Sequence, residues 1–252
     1  MEDHDASFAD LTLDHLLGGR VALQQPRKGY RAAIDPVFLA AAVVPRAGER
    51  LIDLGCGVGA ASLCLAARCS EGQITGLEID PALAALARDN VARNGWEARI
   101  EIVAGDLQAP PPVLAAGSFD QAFSNPPHHA SAAASPSPVA AKRRANVEGE
   151  GGLRAWLRAA LALLKPKGVL TLIHRADRLP ELLALLDGPA GAIAVLPLYP
   201  AEGEAASRVL VRAIKGSRAP LQLRPGLVLH RTGGGYSPSA ASILAEAEPL
   251  PL

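Results

Sequence analysis

The sequence predicts an α/β protein built on a mostly parallel seven-stranded sheet with a terminal antiparallel strand. Three observations carry this reading. From Arg50 onward, short apolar segments alternate with Ala- and Leu-rich segments of helical length, the order that a parallel sheet with crossover helices requires. The turn Asp53-Leu-Gly-Cys-Gly-Val-Gly59 ends one apolar segment and opens a helix, and glycines there let backbone approach a ligand closely. Ser124-Asn-Pro-Pro-His128 closes a later apolar segment at the carboxyl edge of the sheet, where such folds bind ligands.

The elements follow in order. Met1 to Asp10 is an acidic tail without the basic start and apolar stretch of a secretory leader. Asp14 to Gln25 reads as a helical turn and a short hairpin around Gly18-Gly19, and Lys28 to Pro36 leads into an apolar helix at 37–44. Strands are expected at 50–54, 73–78, 100–104 and 119–124, with helices at 59–69 and 81–94. Asp80-Pro81 supplies the cap and first position of the second helix, and Asn94-Gly95 ends it. A Pro-rich connection spans 108–118. A longer one at 130–150, full of Ala, Ser, Pro and Gly, is long enough to expect a function of it. Beyond it come a helix at 152–164, a strand at 168–174, a helix at 178–187 and an antiparallel pair at 192–198 and 207–214. The tail holds a strand candidate at Leu227 to His230, a Gly233-Gly-Gly235 turn and a short helix. Residues 1–48 are read as an N-terminal segment contributing to the cover of the site, 49–215 as the main domain, and 216–252 as an extension packed on it.

Composition narrows the function classes. Lys plus Arg and Asp plus Glu balance at 25 each, so no global field draws the chain to nucleic acid, and RNA contact must be a local patch. Two basic groups flank the expected site: Arg20, Arg27, Lys28 and Arg31 before it, and Lys142, Arg143 and Arg144 after it. Aromatic residues make up 4%, which leaves Tyr30 and His128 as the expected stacking platforms. The three cysteines, Cys56, Cys64 and Cys69, are too few and too clustered for a disulfide framework, and suit a reducing, cytoplasmic setting. No run of 18 apolar residues is present to span a membrane.

The glycine turn admits two cofactors. Glu78 lies 23 residues after Gly55, at the expected end of the next parallel strand, where a carboxylate suits ribose hydroxyls. In a dinucleotide site, Asp53 would repel the pyrophosphate held at the helix start. S-adenosylmethionine carries no phosphate and has an ammonium and a sulfonium, so a nearby acid favours it. Asp106, after the strand at 100–104, is placed to accept a hydrogen bond from the adenine amino group. Pro126 and Pro127 fix φ and remove two backbone donors, so Asn125 and its neighbours present acceptors to a planar amine without competing N–H groups. His128 can stack on a target base. His128 and His129 lack other ligands at metal-binding spacing, so no metal is expected.

The combination resembles the class I S-adenosylmethionine-dependent methyltransferases of the small-domain group, with a Rossmann-like fold, and in particular the bacterial tRNA1(Val) adenine-37 N6-methyltransferase family. The resemblance runs through Tyr30 to Asp35, Asp53 to Gly59, Gly76 to Asp80, Gly105-Asp106, Asn125 to Pro127, Lys165 to Gly168, Arg208 to Val211 and Leu227 to Ser239. It implies that Gly55, Gly57, Glu78 and Asp106 hold the cofactor, together with Asp35 and Asp53. Ile79 packs on the adenine, and Asn125 with Pro126 binds the target amine. The family carries Tyr or Phe where this chain has His128. The same Asn-Pro-Pro signature occurs in glutamine N5-methyltransferases of release factors and guanine N2-methyltransferases of ribosomal RNA. A catalytically silent cofactor-binding protein and a nicotinamide-dependent oxidoreductase are the readings of other classes.

Overall fold

The computed structural model describes residues 10–28, 31–126 and 152–252. It opens with an antiparallel hairpin, β1 (Leu11–Leu16) and β2 (Val21–Pro26), around a tight turn at Leu17–Gly19. Helix α1 (Asp35–Ala42) follows. Then come β3 (Arg50–Leu54), α2 (Ala60–Arg68), β4 (Gln73–Glu78), α3 (Pro81–Arg93), β5 (Ile100–Ala104) and β6 (Phe119–Ser124). The second half supplies α4 (Gly152–Leu163), β7 (Leu164–Arg175), α5 (Leu179–Leu186), β8 (Ala190–Tyr199) and β9 (Arg208–Lys215). Two-residue strands β10 (Gln222–Leu223) and β11 (Leu227–Val228) precede α6 (Pro238–Ala241), which runs into a wider π turn at Ser242–Glu246.

The main sheet runs β10-β8-β9-β7-β6-β3-β4-β5, with β11 also on β8. Its seven long strands are those the sequence predicts, and β10 and β11 are short additions along β8. The antiparallel strand β9 is the last long strand in the chain, yet it lies between β7 and β8 instead of at an edge. β8 is therefore parallel to the rest, displaced by one strand. β7 begins four residues earlier than expected, because Leu164 already pairs with Phe119 and the ladder resumes at Gln121 and Val169 after an irregularity.

Strand alternation divides the core. Leu51 and Ile74 join α1, α2, α3 and the hairpin on one face. Ile52, Leu54 and Leu77 pack with α4 and α5 on the other. The tail belongs to the first face: Leu229, Ala240 and Ile243 are buried there, and the Leu250 amide donates to Ala41 O at 2.8 Å. Asp80 caps α3 by accepting from the Ala82 and Leu83 amides, as its sequence position predicts.

Two asparagines one turn apart, Asn90 on α3 and Asn94 at its C-terminal end, carry a role the sequence does not show. Asn90 accepts from the Gln24 amide and donates to Gln24 O, both at 2.8 Å, and also donates to Val58 O at 3.0 Å. Asn94 makes the same pair with Ala22 at 2.9 and 2.8 Å. Their amides imitate a neighbouring strand, satisfy the outer edge of β2, and tie the hairpin to the glycine turn. No helix among the described residues is long and apolar enough to cross a membrane.

Candidate active site at the carboxyl edge

The pairing of β3 with β6 decides the site. Leu54 is opposite Ser124, so Gly55 and Asn125 leave the sheet side by side, and Ser124 Oγ donates to Leu54 O at 2.7 Å across the junction. The amides of Gly55 and Cys56 both donate to Leu77 O, at 2.8 and 3.0 Å, which anchors the turn to β4. Gly55, Gly57 and Gly59 hold φ of +70°, +57° and +85°, a region that favours glycine. A Cβ on Gly57 would meet nothing within 4 Å, so this part of the turn faces open space. A Cβ on Gly55 would lie 2.8 Å from the ring of Trp156 on α4. Trp156 thus braces the turn from the other face, a contact hinted at in the sequence only by its place beside the stripe of Leu153 and Leu157.

Glu78 ends β4 with 7% of its surface exposed. Its Oε2 accepts from the Gly57 amide at 2.8 Å and its Oε1 from the Asp80 amide at 2.9 Å. Burial raises its carboxyl above the usual range, and these backbone donors oppose the rise. Ile79 follows with 62% of its surface exposed, an unusual state for isoleucine beside a polar turn. Asp106 lies beyond β5 on the same edge, exposed, with Oδ1 accepting from the Gln108 amide at 2.8 Å.

Asp53 takes a different place from the one its proximity to the turn suggests. Strand alternation sends it under the turn against α2, where it is 2% exposed and accepts from Ser62 Oγ at 2.7 Å. Desolvation pushes its carboxyl up to about 7, Ser62 opposes this, and the Glu78 charge adds to it. Asp35, at the start of α1, accepts from Arg208 Nε at 2.9 Å, which joins it to β9 on the far side of β7 from the glycine turn.

Of the expected catalytic residues, Asn125 is half-buried and Pro126 buried. Pro127 and His128 lie outside the described residues, as do Tyr30, Lys142, Arg143, Arg144 and the connection at 130–150. In the N-terminal basic group, Arg31 is held within the fold by Asp14, Thr12 and the Pro26 carbonyl. Arg20 donates to Glu246 O at 2.6 Å. Arg27 pairs with Asp10 at 2.8 Å with both side chains more than half exposed, and Lys28 is exposed. A cavity of about 400 Å³ lined in part by Arg46, Asp120, Arg212 and the Lys165–Gly168 segment lies at the opposite, amino edge, away from the glycine turn, Glu78, Asp106 and Asn125.

Comparison with known proteins agrees with this geometry. The tRNA1(Val) (adenine(37)-N6)-methyltransferase of Aeromonas salmonicida is 30% identical over 220 residues, covering 85% of this chain and 89% of that protein. The protein of the same name from Porphyromonas gingivalis is 33% identical over 169 residues, covering 65% and 66%. A predicted O-methyltransferase from Agrobacterium tumefaciens superposes with a TM-score of 0.72 at 29% identity, over 86% of this chain and 99% of that one. TYW2 from P. horikoshii, solved in complex with MeSAdo, shares the fold at 15% identity and a TM-score of 0.55, over 82% and 72%.

A glycine turn with a carboxylate on the adjoining strand, on a sheet of this order, defines an S-adenosylmethionine-dependent methyltransferase. The open face of Gly57, the bare Ile79 side chain and the Glu78 carboxylate fit that cofactor's amino-acid, adenine and ribose parts. The chain belongs to the methyltransferase small-domain family, whose model matches residues 34–184.

Proposed function

We propose that this methyltransferase acts on the N6 amine of an adenine in transfer RNA, in the cytoplasm. The observation that carries the reading is the juxtaposition of Asn125 with the glycine turn, held by the Ser124–Leu54 hydrogen bond. The names of the relatives supply the substrate class, and the free thiols of Cys56, Cys64 and Cys69 suit a reducing compartment.

In this reading Gly55, Gly57, Glu78, Ile79 and Asp106 hold S-adenosylmethionine, with Asp53 supporting from below the turn, while Asp35, tied to Arg208 on β9, acts from the far side of β7. The cofactor supplies an electrophilic methyl group on a sulfonium. Adenine N6 is a poor nucleophile because its lone pair is delocalised into the ring. The Asn125 side-chain oxygen and the Pro126 carbonyl accept the two N6 hydrogens, which orients the amine and favours its tetrahedral form. No strong base is needed. The proton leaves after transfer, when N6 is acidic enough to pass it to water. Pro127 keeps a competing donor out of the turn, and His128 stacks on the base. Lys28, Arg27, Lys142, Arg143 and Arg144 neutralise phosphates beside the site.

The test is transfer of labelled methyl from S-adenosylmethionine to unmodified transfer RNA, with release factor and ribosomal RNA as competing substrates. N6-methyladenine in the nucleoside digest is expected. Label confined to release factor, or to guanine, would overturn the reading.

A further inference from the structure

We propose that Tyr236, stacked on His230, is a platform for a base of single-stranded RNA a few nucleotides from the target adenine. The inference rests on the RNA reading of the site given above. The ring centroids of Tyr236 and His230 are 4.9 Å apart with planes 23° from parallel, and Tyr236 is 39% exposed. Phe38, Phe119 and Phe123, by contrast, are fully buried. Tyr236 is thus an exposed aromatic in addition to Tyr30 and His128, the platforms expected from the sequence.

The loop that carries it is tightly built. Leu229 and His230 amides donate to Tyr199 O and Pro200 O at 2.8 and 3.0 Å, which extends the pairing of β11 beyond β8. His230 bridges Tyr236, and the Arg231 amide donates to Gly235 O at 3.0 Å. Ser237 closes the base of the loop through Oγ to Val228 O at 2.6 Å. Between these clasps Gly233, Gly234 and Gly235 hold φ of +96°, +102° and +75°. A Cβ on Gly233 or Gly234 would meet nothing within 4 Å, so the tip leaves room for another chain to approach. Leu229 and Ala240 anchor the loop in the core. The tyrosine is thus presented at low entropic cost to a ligand.

Its place in the sheet fits the substrate. β8 runs parallel to β6, so this loop is on the same carboxyl edge as Asn125. β11 lies on the outer side of β8, so four strand spacings separate β6 from the strand that carries the loop, about 19 Å at roughly 4.8 Å each. Charge near the loop is mixed: Arg231 is exposed, Arg208 and Arg175 are held by Asp35 and Asp177, and Glu202 and Glu204 are exposed in the preceding turn. Recognition here is stacking, which every base accepts, more than phosphate neutralisation.

The experiment uses the full chain, with a fluorescein-labelled single-stranded RNA, the same sequence in duplex form, and steady-state methylation of unmodified transfer RNA. Tyr236→Ala should weaken single-strand binding and raise KM for transfer RNA by roughly 10- to 100-fold. kcat, S-adenosylmethionine affinity and the salt dependence of binding should stay near the wild-type values. Tyr236→Phe should restore binding. Tyr236→Leu, which keeps apolar bulk in the loop but no ring, should fail as alanine does. Wild-type binding by Tyr236→Ala in an enzyme that methylates transfer RNA would overturn this inference alone. A wild-type protein that neither binds nor methylates RNA would overturn the RNA reading as well.

Discussion

Glu78 Oε2 lies 2.8 Å from the amide nitrogen of Gly57, so the acid that ends β4 is bonded directly to the glycine turn that ends β3. With Oε1 on the Asp80 amide at 2.9 Å, the carboxylate is held in one orientation before any ligand arrives. Its remaining lone pairs suit ribose hydroxyls. Glu78→Ala should weaken S-adenosylmethionine binding by about 1.5–3 kcal/mol, or roughly 10- to 150-fold, through loss of charge-assisted hydrogen bonds. Calorimetry with NAD as control measures this, and unchanged affinity would remove Glu78 from the site.

Asn125→Ala should act on turnover. Its acceptor strengthens as the amine becomes tetrahedral, so kcat should fall about 10²- to 10³-fold while cofactor affinity stays within a few-fold. Single-turnover transfer separates the two effects. A fall in cofactor affinity equal to the fall in kcat would mean that Asn125 shapes the cofactor site instead.

Asp53 makes stability depend on pH. Its folded value of about 7 exceeds the ordinary 3.8, so between those values the folded chain holds a proton that the unfolded chain has released. Its contribution is therefore fully present below about pH 4 and declines up to about pH 7, by a few kcal/mol over the span. Asp53→Asn keeps an acceptor for Ser62 and removes the titration. The Tm of the variant relative to wild type should rise from pH 5 to pH 8, and parallel Tm profiles would count against the shift.

Asn90→Ala should be among the costlier polar truncations. Asn90 is 0% exposed, and its loss leaves the Gln24 amide and carbonyl and the Val58 carbonyl without their partner. About 3 kcal/mol is expected, or a fall of roughly 6–12 °C in Tm. Asn94→Ala, at a partly exposed position, should cost less. Equal, small effects in thermal melts would show that the hairpin does not depend on these amides.

The candidate site was legible wherever chemistry is carried by a local pattern. The glycine turn, the acid on the following strand and the Asn-Pro pair each stand at a strand end, so their order along the chain places them on one edge. Asp35 was legible as a motif residue, but its partner Arg208 is 173 positions away. Arg31 was legible as a cation, while its engagement by Asp14 depends on the register of the hairpin.

The sequence by itself determined the strands at 50–54, 73–78, 100–104 and 119–124, the Asp80 cap and the left-handed turn at Gly55 and Gly57. These depend on side-chain period, hydrogen bonds within a few residues and backbone freedom, all of which are local. Tertiary structure alone decided that β9 inserts between β7 and β8, that Asp53 faces Ser62, that Trp156 braces Gly55, and that the tail brings Tyr236 to the carboxyl edge. Each is set by which surfaces bury together when distant segments pack, and side-chain period fixes only the face a residue presents, not the segment that covers it.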